Sequence, residues 1–153
     1  MLFLGIFFIT AIAGYAQQKR SVLLGPEAIK VLIGVCDDST EAKSWEPSIK
    51  EIQSMEGHFS ELKKLYRPSA SDKWTFNPET YLRQYVAIVC NGHKFIYINA
   101  FDEDPRKTML SAGIKFDWTK EPVIVFDGGR AYWQAWYDTE KHQFSKLGFN
   151  GYA

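Results

Sequence analysis

The chain has 153 residues, with 18 Lys plus Arg balanced by 18 Asp plus Glu, 46% hydrophobic residues and 24% charged ones. A formal charge of zero excludes a bulk electrostatic attraction to nucleic acid or an anionic membrane, and the composition excludes disordered, collagen-like and disulfide-dense classes. The length suits one domain with one core, and the unusual feature is a content of 16% aromatic residues, which serve cores and binding faces alike.

The first segment, Leu2 to Ala16 (LFLGIFFITAIAGYA), carries no charge and is shorter than the ~20 apolar residues that a spanning helix needs. Gly14 and Ala16 place small residues at the minus-three and minus-one positions before Gln17, so residues 1–16 read as a signal peptide. The expectation is export to the periplasm or the extracellular space, with no membrane attachment after cleavage. Lys19 and Arg20 lie beyond the apolar run instead of before it, which makes an uncleaved anchor the alternative. Ile33-Gly34-Val35-Cys36 is a poor lipidation box, because Val35 stands where a small residue should precede the cysteine. In an oxidising compartment Cys36 and Cys90 either form a disulfide or stay as two buried thiols, and spacing leaves both open.

Residues 17–43 form an N-terminal segment with a candidate strand at Ala28 to Cys36 (AIKVLIGVC), a helix being the alternative. Residues 44–153 complete the same single domain. There Trp45, Ile49, Ile52, Met55, Phe59, Leu62 and Leu65 recur at spacings of three and four with charged residues between them. The spacing predicts an amphipathic helix from Ser44 to Tyr66, capped by Ser44, with Pro47 in the first turn and Arg67-Pro68 as the stop. Gly57 is its weak point, at ~1 kcal/mol relative to alanine.

Strand patterns follow. Tyr81 to Cys90 and His93 to Phe101 flank Asn91-Gly92, the strongest short-range hairpin signal, and a two-residue turn pairs Cys90 with His93, Ile88 with Phe95, Val86 with Tyr97 and Gln84 with Asn99. Both faces are apolar in mid-strand, so the hairpin belongs in the centre of a sheet, one face under the helix and the other under a further cover or a partner. Asp102 to Glu121 is a polar excursion, long for a structureless loop. Strands are expected again at Pro122 to Phe126, Ala131 to Tyr137 and His142 to Phe149. The fold class is α+β, one long amphipathic helix packed on a curved antiparallel sheet of four to five meander strands.

Arg83-Gln84-Tyr85-Val86, Ile96 to Phe101, the Pro122 to Gly129 run with Trp133 after it, and Phe149-Asn150-Gly151 resemble a family of small exported bacterial proteins of unknown function. The resemblance covers about the C-terminal half and implies export but no chemistry. The order of one helix and then a four-stranded meander resembles the cystatin-like layout. Gln84-Tyr85-Val86-Ala87 is similar to the Gln-x-Val-x-Gly inhibitory loop, with Ala87 in place of the glycine and a mid-strand position instead of a hairpin tip. That second resemblance implies a protease-inhibitor-like protein as one alternative function.

Cys90 and His93 face each other beside the turn, as a nucleophilic dyad or half a metal site would require, but no orienting group follows and two Cys with three His make no ligand set. His58 and His142 read as boundary residues. The Asp37-Asp38, Asp102-Glu103-Asp104 and Asp127-Gly128-Gly129 clusters lack calcium-loop spacing and read as turn chemistry. No cofactor or metal is expected. An acid–base pair of Asp127 with Asp102 or Glu103, or His93 in a sheet pocket, defines the enzyme alternative, a small secreted hydrolase. In Tyr132-Trp133-Gln134-Ala135-Trp136-Tyr137, alternation puts Tyr132 and Trp136 on one face and Trp133 and Tyr137 on the other, so an aromatic pair leaves the helix-covered side whichever face is buried. The favoured reading is a non-catalytic binding or interaction module using Tyr97, Tyr132, Trp133, Trp136 and Tyr137 to hold an unidentified protein or small-molecule ligand, a self-associated form being compatible with it. The competing reading is that the excursion, which carries Phe116 and Trp118, folds back and covers these rings.

Overall fold

The computed structural model describes residues 20–31, 36, 42–105, 110 and 112–151. The leader expected at residues 1–16 lies outside them. Among the described residues no helix is long and apolar enough to cross a membrane.

The fold is α+β, and its centre is a meander of four antiparallel strands: β3 (Leu82–Cys90), β4 (His93–Phe101), β5 (Tyr132–Asp138) and β6 (Gln143–Phe149). The predicted hairpin register holds from Leu82 opposite Phe101 to Cys90 opposite His93. Asn91 and Gly92 close it with φ of 52° and 83°, a left-handed pair that few residues other than asparagine and glycine adopt at low cost. The sheet is mixed and has about six strands, because the outer edge of β3 is also paired. β1 (Ser21–Leu23) runs parallel to Arg83–Tyr85, and β2 (Lys43–Ser44) runs antiparallel to Ile88 and Val89.

This arrangement corrects three expectations. The candidate strand at Ala28 to Cys36 is not one over Ala28 to Lys30, where Pro26–Lys30 forms a 3-10 helix after β1; residues 32–35 of the candidate lie outside the described residues. Pro26 opens it because its fixed φ suits a first helical turn. Pro122 to Phe126 forms no strand. The helix begins at Ile49 instead of Ser44. Ser48 and Glu51 form a reciprocal capping box, Ser48 N donating to Glu51 Oε2 at 2.7 Å and Glu51 N to Ser48 Oγ at 3.3 Å, and Ser44 is drawn into β2. Ile49 therefore occupies the first turn and is 77% exposed, so the buried stripe reduces to Ile52, Met55, Phe59 and Leu62. The helix runs as α1 (Ile49–Gly57), a 3-10 turn (Phe59–Glu61) and α2 (Leu62–Leu65), changing pitch at Gly57, where the helix propensity is lowest.

The helix packs on one face of the sheet. Met55, Phe59, Leu62 and Phe76 meet Tyr85, Ile96, Ile98, Trp133, Ala135, Tyr137 and Phe144 in a continuous apolar core. Arg83 is buried beneath it without an unmet donor cluster: it donates to the carbonyls of Glu79 and Tyr81 and to the Tyr85 hydroxyl, and it lies 3.9 Å from Glu56. Tyr85 in turn donates to Glu56 at 2.5 Å, and burial raises its hydroxyl pKa far above the ordinary tyrosine value.

Candidate functional site

The opposite face of the sheet is covered differently, by two straps. The first is Leu24 to Val31 with Cys36. Leu24, Ala28 and Ile29 pack on Val86, Ile88 and Trp136, and a disulfide joins Cys36 to Cys90 across 54 residues with a Cα–Cα distance of 5.6 Å. The question left open between a disulfide and two thiols is thereby settled. A Cys90–His93 dyad is excluded as well, because the Cys90 sulfur carries no thiolate; His93 instead sits 3.3 Å from Glu140.

The second strap runs through Phe116, Trp118 and Val123 over Phe101, so part of the excursion does fold back. Side-chain amides hold it down. Gln84 donates to the carbonyls of Trp118 and Glu121 at 2.6 and 2.7 Å and accepts from Val123 N at 2.9 Å. Asn99, its cross-strand partner, donates to Gln84 and to the Val123 carbonyl. Gln134 continues the row to Asn150, which donates to the Val125 carbonyl at 2.5 Å. These amides bond the Val123 amide and the Val123 and Val125 carbonyls from the face of the sheet, which holds the segment across that face instead of along an edge.

Between the straps lies an aromatic row. Phe95 and Tyr97 both present edge-on contacts to Trp136, with ring centroids 5.7 and 5.5 Å away. Trp136 is 8% exposed and floors an open cleft of about 180 Å³ beside the disulfide, with His93, Ser145 and Lys146 at its rim. A second cleft, about 160 Å³, lies on the other side of Tyr97 and is bounded by Tyr132, Asn99, Gln134 and Val123 to Phe126. Phe126 is 90% exposed there, and Ile124 and Val31 are about half exposed. Burial pushes the Tyr97 hydroxyl up to about 12. The Tyr132 hydroxyl is also raised, first by burial and then by the carboxylates of Asp102, Glu103 and Asp127. Gly128, with φ of 87°, lets the chain pass that ring, since a Cβ there would lie 2.6 Å from it.

The candidate residues divide accordingly. The alternation along β5 is as predicted, and Tyr97, Tyr132 and Trp136 line the two clefts. Trp133 and Tyr137, expected as contact residues, are placed otherwise: they are 0% and 1% exposed in the core beneath the helix. Phe95, Phe126 and Lys146 were not singled out by sequence reading. The pairing of Gln84 with Asn99 inside two apolar strands was the visible sign of the amide row. Asp102, whose carboxyl is raised by burial and by Glu103, lies with Asp127 around Tyr132. No three of the described His, Cys, Asp and Glu side chains come together as metal ligands. Compared with protein-family models, curated proteins and solved structures, the chain matches none.

Proposed function

We propose that the chain is an exported, non-catalytic binding module that holds a partner protein or small ligand on the aromatic face between its two straps, with Tyr97, Tyr132 and Trp136 as contact residues and Phe126 at the rim. The observation that carries the reading is the row Phe95–Trp136–Tyr97 opening into clefts on both sides, beside a phenylalanine that is 90% exposed. Exposed aromatic rings next to preformed concavities are the usual energetic anchors of recognition. Export is supported by the disulfide, which persists in oxidising compartments, together with the apolar Leu2 to Ala16 run. The architectural part of the proposal is the cystatin-like layout with a curved sheet, supported by the order of one helix followed by a meander of four strands.

The test has two arms. Mass spectrometry of the native protein should find Gln17, or its cyclised form, at the N-terminus, whereas an intact Met1 in a membrane fraction contradicts export. A ligand-observed NMR screen of oligosaccharides, peptides and small aromatics should give binders whose affinity falls by about 1–3 kcal/mol in Phe126→Ala or Trp136→Ala with the fold retained. A hydrolytic activity abolished by His93→Ala alone would contradict the non-catalytic reading.

A further inference from the structure

We propose that the cleft over Trp136 binds a small carboxylate carried on a single ring that stacks on the indole, and that Lys146 is the group that recognises the acid. The inference rests on the binding-module reading and names the ligand class for one part of its face.

The argument starts in β6. Trp136 is paired with Ser145, and Gln134 with Gly148, so Lys146 and Leu147 share one position opposite β5. Lys146 has a φ of 53°, the left-handed conformation that this kind of bulge ordinarily reserves for glycine. The bulge re-aims the strand: Ser145 and Lys146 both reach the cleft, while Phe144 and Leu147 on either side pack into the helix-side core. The Lys146 ammonium lies 5.3 Å from the centre of the Trp136 ring. An exposed cation over an indole recovers too little to account for a left-handed lysine and an interrupted ladder, and strain of this kind gathers where a side chain must be aimed at a ligand.

The charges point the same way. Lys64, Lys120, Lys141, Arg83 and Arg130 each pair with a carboxylate, whereas Lys146, like Lys50 and Lys63, stands outside these pairs. Among the described residues no carboxylate lies within ion-pair distance of Lys146. His93, at the same rim, is already engaged by Glu140. The cleft thus offers the Lys146 ammonium and the Ser145 hydroxyl above a floor of Trp136 and Phe95. Its volume, about 180 Å³, is close to the ~150 Å³ that accommodates one benzene ring. The complement is an acid on a single ring, either an aromatic acid or a uronic sugar.

Titration of the ¹⁵N-labelled, disulfide-intact protein tests this, with phenylacetate and D-glucuronate as probes and 2-phenylethanol and D-glucose as their uncharged counterparts. At least one acid should shift the Trp136 indole and the Ser145 and Lys146 amides saturably, binding about tenfold more tightly than its neutral analogue. The arm that responds distinguishes an aromatic acid from a sugar acid. Lys146→Met should remove the preference for the acid, Lys146→Arg should keep it, and added salt should weaken the acid alone. Equal binding of acid and neutral analogue, or an unchanged preference in Lys146→Met, overturns the proposal while leaving an aromatic binding face in place. Silence of all four probes at Trp136 overturns it as well, and the broader reading then stands or falls on the Phe126→Ala variant at the other cleft.

Discussion

The two faces of the sheet are covered by opposite strategies. On one, a single amphipathic helix buries a continuous apolar stripe, and contact area holds the layers together. On the other, two separate straps are pinned at a few points, the Cys36–Cys90 bond for one and the Gln84–Asn99 and Gln134–Asn150 amides for the other. Contact area covers most of its face, leaving one cleft of about 240 Å³ where Ile49 and Ile52 meet Val22 and Tyr85, whereas point tethers leave seams along the aromatic row. The seams are where Trp136, Tyr97 and Tyr132 meet the clefts, so the proposed recognition face is the side of the strands opposite the helix.

That division predicts unequal responses to mutation. The largest expected effect is on the helix side: Phe59→Ala should cost about 3–5 kcal/mol in urea melts, against less than about 0.5 for Ile49→Ala one face away on the same helix. Similar values at the two sites would mean that the helix is turned the wrong way. Next comes the disulfide. Replacing Cys36 and Cys90 by serine should lower stability by about 2–4 kcal/mol, with faster amide exchange concentrated on the first strap and the β3 residues it covers. Protection lost evenly on both faces would break the comparison. A smaller loss, about 2 kcal/mol, is expected for Gln84→Met, which leaves the Trp118 and Glu121 carbonyls and the Val123 amide without their partner. Exchange should then quicken across 118–126 while the helix stays protected.

The smallest effect concerns pH. The carboxyl of Asp72 is held below the ordinary aspartate range by the Tyr66 hydroxyl, then by the Trp74 amide and by Arg130. A carboxyl depressed in the folded state contributes stability that is present above the unfolded value near 4 and is lost as pH falls through the folded value. Stability measured downward from about pH 4 should therefore decline less steeply in Asp72→Asn than in the native protein. Because Tyr66 and Trp74 pack on the helix-side core, the acid-sensitive part should map to that face. An unchanged acid limb in Asp72→Asn would remove Asp72 from the account.

Periodicity made the local features legible. The Asn91-Gly92 turn fixed the hairpin register residue by residue, and the three-and-four spacing located Met55, Phe59 and Leu62 in the core. It failed where a local preference met a competing partner, as at Ser44, which the open edge of β3 draws into the sheet while Ser48 and Glu51 supply the cap. The straps were legible only as open alternatives, a disulfide or two thiols and an excursion that does or does not fold back, for a different reason. Their anchors are single long-range contacts, 54 residues apart for the disulfide and 39 for Gln84 to Val123, and such contacts leave no periodic trace. The bulge that aims Lys146 was equally hidden, since nothing in Ser145-Lys146-Leu147 marks a left-handed lysine. Alternation alone could pair Tyr132 with Trp136 and Trp133 with Tyr137, but it could not say which pair the helix would cover.

The most direct test of the division between the faces is chemical-shift mapping of the ¹⁵N-labelled protein with two small probes, phenol and methyl β-glucoside. Saturable shifts should cluster at Phe95, Tyr97, Tyr132, Phe126 and the Trp136 indole, and should be absent from Met55, Phe59, Trp133 and Tyr137. Shifts centred instead on the helix or on the Arg83–Tyr85–Glu56 cluster would contradict the assignment of recognition to the strapped face.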